Sequence, residues 1–395
     1  MTDLSDLHPS VAVVLAGGQG TRLFELTQRE SKPALPFARF HRIVDFTMAS
    51  LARSGVRTVL VGTQYCPTTL STHLRDSWGG AFGSLLLRCG STVADGGYRG
   101  TADVLRRNAA ELDRLGVEDL LIVAADHIYA MDYRPFLQAH RDRGARITLA
   151  AMPVPRDEAS RFGVITEGPG GRIAGFAEKP ARPAAMPDDG ASALVSMGIY
   201  VVNWPWLRAR LADPLLMDFG HDIVPLAVDM GEAAVWRWSG YWRDVGTLDG
   251  LRESWLDFEA AQPPCPRPLV PGSLLRASDH GTARDRFQAR ITLGGLRLMS
   301  PLIGSGDPGR WAALDRSVLM EGAQVNPGVR LTNVIVAPGT ILPDGLRIGE
   351  DRAEDQRWFR VAGDTVLVSS AMLARRAADR VRSFATFHCD PKVAG

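Results

Sequence analysis

Val11-Ala12-Val13-Val14-Leu15-Ala16-Gly17-Gly18-Gln19-Gly20-Thr21-Arg22-Leu23 reads as a buried strand running straight into a glycine loop. A short apolar run closed by a turn signal is the mark of such a strand. Glycines let the backbone come close to a ligand and aim its N–H groups at anionic oxygens. Arg22 adds a planar donor fork. Two common nucleotide motifs are excluded: Gly-Lys-Ser/Thr is missing, and Leu23 stands where a dinucleotide fingerprint needs its third glycine. A plain tight turn is the alternative, and three glycines plus Arg directly after a strand favour a phosphate cradle. Lys32-Pro33 adds a second cation, and the proline is expected to keep Lys32 out of helical geometry.

Outward from this stretch, β-like and helix-like segments alternate. Thr58–Gly62, Leu120–Ala124 and Ile147–Met152 are further short apolar runs, and Ile173–Phe176 is another. Helical stretches lie at Phe46–Ser54, Pro67–Trp78, Thr101–Leu115 and Tyr133–Asp142. The alternation predicts an α/β fold, a largely parallel sheet with helices on both faces. Ligands of such sheets bind outside the carboxyl ends of the strands.

Near Gln262 the pattern changes. Pro263, Pro264, Pro266, Pro268 and Pro271 crowd one stretch, which reads as a linker over 262–296. From 297 to 374 helical periodicity is lost. Gly322, Gly328, Gly339 and Gly345, and Val325, Leu331, Val336, Leu342 and Ile348, recur in steps of six with one shortened step in each series. That rhythm predicts a parallel β-helix, with a β-meander as the alternative. Residues 375–395 form an Arg-rich tail (Arg375, Arg376, Arg380, Arg382), read as a solvated helix face.

The chain has 395 residues, so two or three domains are expected. Its 45 Lys+Arg against 44 Asp+Glu leave a formal charge of +1, which gives no general pull on nucleic acid or an anionic membrane. Cys66, Cys89, Cys265 and Cys389 form no CxxC pair, which fits reduced thiols rather than a zinc cluster or disulfide scaffold. No apolar stretch approaches a bilayer span, and the polar Met1–Ser10 is unlike a signal peptide.

Two further motifs carry chemistry. Asp126, in Ala125-Asp126-His127-Ile128-Tyr129, follows the Leu120–Ala124 strand at its carboxyl end. A hard cation such as Mg²⁺ takes one or two carboxylates plus substrate phosphates, and Asp244 is a candidate partner. Taken singly, each Asp suits a cap or turn equally, and His127 is open to a structural or a catalytic role. Glu178-Lys179-Pro180 places an acid beside a base, which suits a hydroxylated phosphate ester or, standing alone, an exposed turn with an incidental ion pair.

Together these motifs resemble the sugar-1-phosphate nucleotidyltransferases, in particular the ADP-glucose pyrophosphorylases. The resemblance runs in order through Gly17–Leu23, Lys32-Pro33, Arg42–Phe46, Thr63-Gln64-Tyr65, Tyr98–Asp103, Asp126–Tyr129 and Phe162-Gly163-Val164. Glu178-Lys179-Pro180, Ser196–Tyr200, Asp218-Phe219-Gly220 and Tyr241–Thr247 complete it. It implies a Rossmann-like mixed, mostly parallel catalytic domain over 1–261, followed by a left-handed β-helix.

The resemblance also implies roles. Leu15, Gly17, Gly18, Gly20, Thr21, Gln64, Tyr98, Gly100 and Thr101 would bind the nucleotide. Arg22, Lys32 and Asp126 would be catalytic, with Asp126 and Asp244 on Mg²⁺. Gly163, Glu178, Lys179, Ser196 and Asp218 would hold the sugar phosphate. The chain departs from the family pattern at Gln19, Ala125, Gly97 and His221, and Phe40 stands about where a basic effector-binding residue often lies. The expected reaction is Mg²⁺-dependent transfer from an NTP, first ATP, to a glucose-like 1-phosphate, first glucose 1-phosphate. The alternatives are a GTP-using transferase of a valienol-type cyclitol 1-phosphate, and a catalytically silent regulatory homologue. A cytoplasmic homodimer or homotetramer is expected, with no nucleic-acid or membrane partner.

Overall fold

The computed structural model describes residues 11–38, 40–93, 95–260, 262–271, 287–293, 296–301 and 311–388. The acidic N-terminal segment 1–10, the middle of the proline-rich stretch (272–286) and the end of the Arg-rich tail, with Cys389, lie outside them.

Among these residues the main sheet has nine strands. In chain order they include β1 (Val11–Ala16), β2 (Thr58–Thr63), β3 (Ser84–Cys89) and β4 (Asp119–Ala124). After the short β5 (His127–Tyr129), which lies outside the sheet, come β6 (Ile147–Pro155), β7 (Gly163–Glu167), β8 (Ile173–Glu178), β9 (Ser192–Asn203) and β10 (Ala233–Arg237). β1 lies between β2 and β4, parallel to both, and β3 extends this parallel half beyond β2. β9 then runs antiparallel to β4, β6 and β7. The glycine loop and the Asp126 segment therefore leave adjacent parallel strands at the same sheet edge, where such folds gather ligands.

The helices follow the periodicity with small shifts. Pro67–Trp78 is helical as read, whereas Thr101–Leu115 breaks at Asn108 into Thr101–Arg107 and Ala109–Arg114. Asn108 leaves helical geometry because its amide donates back to the Val104 carbonyl at 2.7 Å and to the Tyr98 hydroxyl at 3.3 Å. Lys32 opens a single 3₁₀ turn, Lys32–Ala34, instead of lying extended. Proline is tolerated in a first turn, where its missing N–H is not needed. In Ile43–Arg53, Asp45 is fully buried, accepting from the Arg42 N–H at 2.7 Å and the Trp78 indole at 2.8 Å and pairing with His73 at 2.6 Å. The Arg42–Phe46 motif is thus a helix start locked to its neighbour.

The C-terminal domain is a parallel coil of three faces. Ala313 pairs with Arg330 and Arg330 with Arg347 on one face, Val318 with Ile335 on the second, and Gln324 with Ile341 on the third. Each pairing advances 17 residues, the same interval that separates Gly322 from Gly339 and Gly328 from Gly345. All four glycines turn corners at positive φ, and Val325, Leu331, Val336, Leu342 and Ile348 are all buried. The stretch 262–296 carries a strand in its second half: Phe287–Leu293 pairs antiparallel with Leu296–Pro301, which continues onto Ala312–Asp315. Phe287, Ala289, Ile291 and Leu293 recur at every second position, the period of a strand. The tail continues a helix, Ser370–His388.

The two domains meet along the helix Leu248–Glu259. Its Thr247 side chain accepts from the Gly250 N–H at 3.1 Å, a standard N-cap. Leu248, Leu251, Trp255 and Phe258 share one apolar cluster with Leu23, Leu26 and Phe46 of the catalytic domain and Val318, Ile335 and Leu367 of the coil.

Candidate active site

A cleft of about 660 Å³ opens at the carboxyl ends of β1 and β4. Leu15 to Arg22, Lys32, Gln64, Tyr98, Gly100, Thr101, Asp126, Glu178, Lys179 and Asp218 line it. Asp244, Gly163 and Ser196 are not among the lining residues, though Asp244 accepts from Lys32 and Gly163 lies against Glu178. The structure thus brings most of the sequence-selected residues into one concavity, although they come from segments spread over more than half of the chain.

The glycine loop earns its glycines unequally. Gly20 sits at φ +64, and a Cβ there would lie 2.9 Å from Thr27 Cγ2 and 3.2 Å from Lys32 Cβ. Gly18 has no atom within 4 Å of such a Cβ, and Gly17 meets only Gln64 Cβ at 3.8 Å. A side chain would find room at both, so packing requires glycine at position 20 and not at these two. Arg22, exposed beyond them, points toward Gly246, where a Cβ would meet its Nη2 at 3.0 Å.

At the floor, the Lys32 ammonium donates to Asp126 Oδ2 at 2.9 Å and to Asp244 Oδ1 at 3.0 Å. Its side chain is only 6% exposed, against 33% for Asp126 and 10% for Asp244. Burial is the largest single influence and pushes both carboxyls up, but the Lys32 charge, His127 and the hydrogen bonds from Lys32 together hold both acids below the usual carboxylate range. Burial likewise lowers a lysine, yet the two acids raise Lys32 above its ordinary value. His127 directs Nε2 toward the same pair, 3.7 Å from Asp126 Oδ1 and 4.0 Å from Asp244 Oδ1, while its buried Nδ1 has no hydrogen-bond partner among the described residues. The antiparallel pairing of His127–Tyr129 with Trp242–Asp244 sets His127 opposite Asp244 and thereby brings the acids together.

This donor set suits Mg²⁺. Two carboxylates already share one cation, and hard oxygen donors completed by phosphates are the usual Mg²⁺ provision. Among the described residues no group of three or more His, Cys, Asp and Glu forms a metal cage, so substrate oxygens would have to complete the shell.

The other end of the cleft is built from three linked loops. The Gln64 carboxamide accepts from the Tyr98 N–H at 2.7 Å and donates to the Tyr98 carbonyl at 3.2 Å, so it clamps the 97–100 segment. Gly100 packs so closely that a Cβ would lie 2.4 Å from the Met217 carbonyl oxygen. The Thr101 hydroxyl donates to Asp218 Oδ2 at 2.9 Å and accepts from the Phe219 N–H at 2.9 Å. Asp218 Oδ1 caps the next turn, accepting from Gly220 and His221 at 2.8 and 3.2 Å.

Glu178 and Lys179 do form an ion pair, at 2.7 Å, but its setting is more than an exposed turn. The Glu178 carboxylate is wedged against Gly220, where a Cβ would sit 2.6 Å from Oε2, and against Gly163 behind it. Lys179 adopts φ +46, unusual for a side-chain-bearing residue, and its N–H donates to the Phe162 carbonyl at 3.0 Å. Buried Ser196 accepts from the Gly198 N–H at 3.3 Å at the irregularity of β9. Tyr200, which sequence reasoning did not select, lines the cleft and stacks on Phe219 with centroids 5.2 Å apart. Its signal lay within the Ser196–Tyr200 motif, but only the irregular pairing of β9 shows where the ring goes.

Among the described residues no helix is long and apolar enough to cross a membrane, and Cys66, Cys89 and Cys265 are unpaired thiols.

A glycine loop at a strand's carboxyl end, two carboxylates bridged by Lys32 and the Glu178–Lys179 pair in one cleft are the arrangement expected of a nucleotidyl-transferring site. Residues 11–260 match the nucleotidyl transferase family, and residues 300–369 match the GlmU-like, C-terminal hexapeptide family, so the coil is a left-handed β-helix. The chain belongs to the sugar-1-phosphate nucleotidyltransferases and is an enzyme of that family. It is 37% identical over 406 residues to a glucose-1-phosphate adenylyltransferase of Jannaschia sp. (strain CCS1), covering 93% of this chain and 97% of the relative. A glucose-1-phosphate adenylyltransferase of Cereibacter sphaeroides (strain ATCC 17029 / ATH 2.4.9) is 35% identical over 407 residues, with 93% and 96% covered.

Proposed function

We propose that this enzyme transfers the adenylyl group of ATP to glucose 1-phosphate, releasing ADP-glucose and pyrophosphate. The observation that carries the reading is the division of one cleft. The glycine loop, Arg22 and the Asp126–Lys32–Asp244 cluster occupy one end, and Glu178, Lys179 and Asp218 the other. The similarity to glucose-1-phosphate adenylyltransferases supports ATP and glucose 1-phosphate as the pair.

The chemistry needs alignment and charge balance. A phosphate oxygen of the sugar phosphate attacks the α-phosphorus in line. One P–O bond forms as the bond to the β-phosphate oxygen breaks, and pyrophosphate leaves with that electron pair. The nucleophile is already ionised, so no strong base is required. The Gly17–Gly20 peptides and Arg22 hold the triphosphate, Lys32 balances charge at the floor, Lys179 faces the sugar phosphate and Glu178 accepts sugar hydroxyls. Mg²⁺, held by Asp126 and Asp244, would supply charge neutralisation to the transferring group. A cytoplasmic homodimer or homotetramer fits the family, and sedimentation would distinguish the two assemblies.

The test offers ATP, GTP, UTP, CTP and dTTP, each with Mg²⁺, against a panel of sugar and cyclitol 1-phosphates and reads pyrophosphate release. Release with ATP and glucose 1-phosphate is expected. Release only with GTP and a cyclitol 1-phosphate would replace that pair while keeping the mechanism, and no release with any pair would favour a silent regulatory homologue.

A further inference from the structure

The turn that carries Thr21 and Arg22 is bracketed by two residues at positive φ. Gly20 adopts it freely, but Phe24 lies at φ 50, ψ −121, a region that side-chain-bearing residues rarely enter. Strain of this kind persists only where neighbours over-determine it. Here the neighbours belong to the β-helix. Leu23 and Leu26 are buried in one cluster with Val318, Met320, Ile335, Ala337 and Leu367. Above them, the Arg360 guanidinium lies 4.9 Å from the Phe24 ring centroid and donates to the Glu25 carboxylate at 2.9 and 3.5 Å. Burial would raise Glu25, yet the hydrogen bond and charge of Arg360, together with a backbone hydrogen bond and Arg375, keep it below the ordinary value.

We infer that Arg360 is a positioning residue for nucleotidyl transfer, which acts through Phe24 and Glu25 to fix the Thr21–Arg22 turn against the β-helix. An isolated ion pair on the surface contributes little, and Arg360 is 46% exposed. What sets this contact apart is that one planar fork grips two consecutive residues of a strained turn, two positions from Arg22. Arg360 reaches them because the helix Arg352–Trp358 departs from the regular coil, and the strand Arg360–Ala362 returns beside the catalytic domain. The β-helix thereby helps to shape the catalytic loop as well as to close the apolar joint.

The inference rests on the loop's role as triphosphate cradle, so the test includes a variant of that loop. Full-length wild type, R360M, R360K and R22A are assayed with Mg²⁺, varying ATP at saturating glucose 1-phosphate and the converse, alongside thermal melting. R360M is expected to lower kcat/KM for ATP about 10-fold, with KM for glucose 1-phosphate and the melting temperature near wild type. R360K should recover part of the loss, since it keeps the charge but not the fork. R360M with unchanged kcat/KM for ATP, while R22A is inactive, overturns the inference. So does a loss spread over both substrates together with a lowered melting temperature in R360M and R360K. An active R22A would instead remove the cradle reading. If R360M does not fold, E25M removes both acceptor oxygens and breaks the same contact from the other side. It should show the same ATP-selective loss, and wild-type kinetics in E25M would overturn the inference.

Discussion

The Lys32 ammonium lies 2.9 Å from Asp126, ninety-four positions later in the chain, and fills the place between that acid and Asp244. The protein thus supplies its own cation at the point where a divalent ion would be held. Replacing it, as in K32M, leaves two neighbouring carboxylates without a counter-charge. Such a loss typically costs 3–5 kcal/mol in a fully buried site. Here the expected loss is about 2–3 kcal/mol, because Asp126 is one-third exposed. Added Mg²⁺ should then raise the melting temperature of K32M more than that of wild type. Equal responses would argue against Asp126 and Asp244 as the metal acids.

The same cluster has a defined pH signature. Asp126 and Asp244 are held below their ordinary values, so the stability they contribute is present above roughly pH 4 and is lost as pH falls through their lowered values. Lys32 is raised, so its contribution is present below roughly pH 10 and is lost above that. Without Lys32 the two acids repel and take up a proton more readily. The gap in unfolding free energy between wild type and K32M should therefore narrow below about pH 5. Denaturant titrations between pH 3 and pH 8 measure it, and a constant gap would mean that Lys32 does not keep the acids ionised.

Gly100 should tolerate no side chain. A Cβ there would lie 2.4 Å from the Met217 carbonyl oxygen, and backbone must move to relieve it. The displaced segment also carries Ala102, whose N–H donates to the same carbonyl at 2.8 Å, and it adjoins Asp218. G100A is expected to lower kcat/KM for both ATP and glucose 1-phosphate by about 10-fold or more, since the segment that moves joins the Tyr98–Thr101 side of the cleft to Asp218. Steady-state kinetics test this, and wild-type values would show that the two loops can separate freely.

Arg252 secures the domain joint. It is 1% exposed, with Nε donating to the Thr365 hydroxyl at 2.8 Å and Nη1 donating to the Asn333 amide oxygen at 2.5 Å and the Arg316 carbonyl at 3.3 Å. R252A leaves the buried Thr365 hydroxyl without this donor, strips the partly buried Asn333 and Arg316 oxygens of theirs, and should destabilise the protein by about 2–3 kcal/mol. Denaturant unfolding would read this as a lower midpoint. A second transition is also expected if the catalytic domain and the β-helix then unfold separately.

The parts legible in the sequence are those governed by neighbours along the chain. β1 and its glycine loop follow from a run of apolar residues meeting a run of glycines. The coil follows from an interval that repeats at Gly322 and Gly339 and at Leu331 and Ile348. The order of the motifs was enough to identify the family. Less legible was β9, whose antiparallel insertion places Tyr200 in the cleft, because an apolar run does not state its direction. The strand Phe287–Leu293 was hidden behind prolines that dominate the segment before it.

Sequence by itself determined the strand-to-loop turn, the six-residue rhythm of the β-helix and the types of residue proposed to serve phosphate and metal. These depend on local burial and on conformations that few residues adopt. Only the tertiary structure decided that Lys32 joins Asp126 to Asp244, that Gln64 clamps Tyr98, and that Arg360 grips the turn beside Arg22. Each of these contacts joins segments far apart in the chain, and the packing that brings them together carries no periodic mark in the sequence.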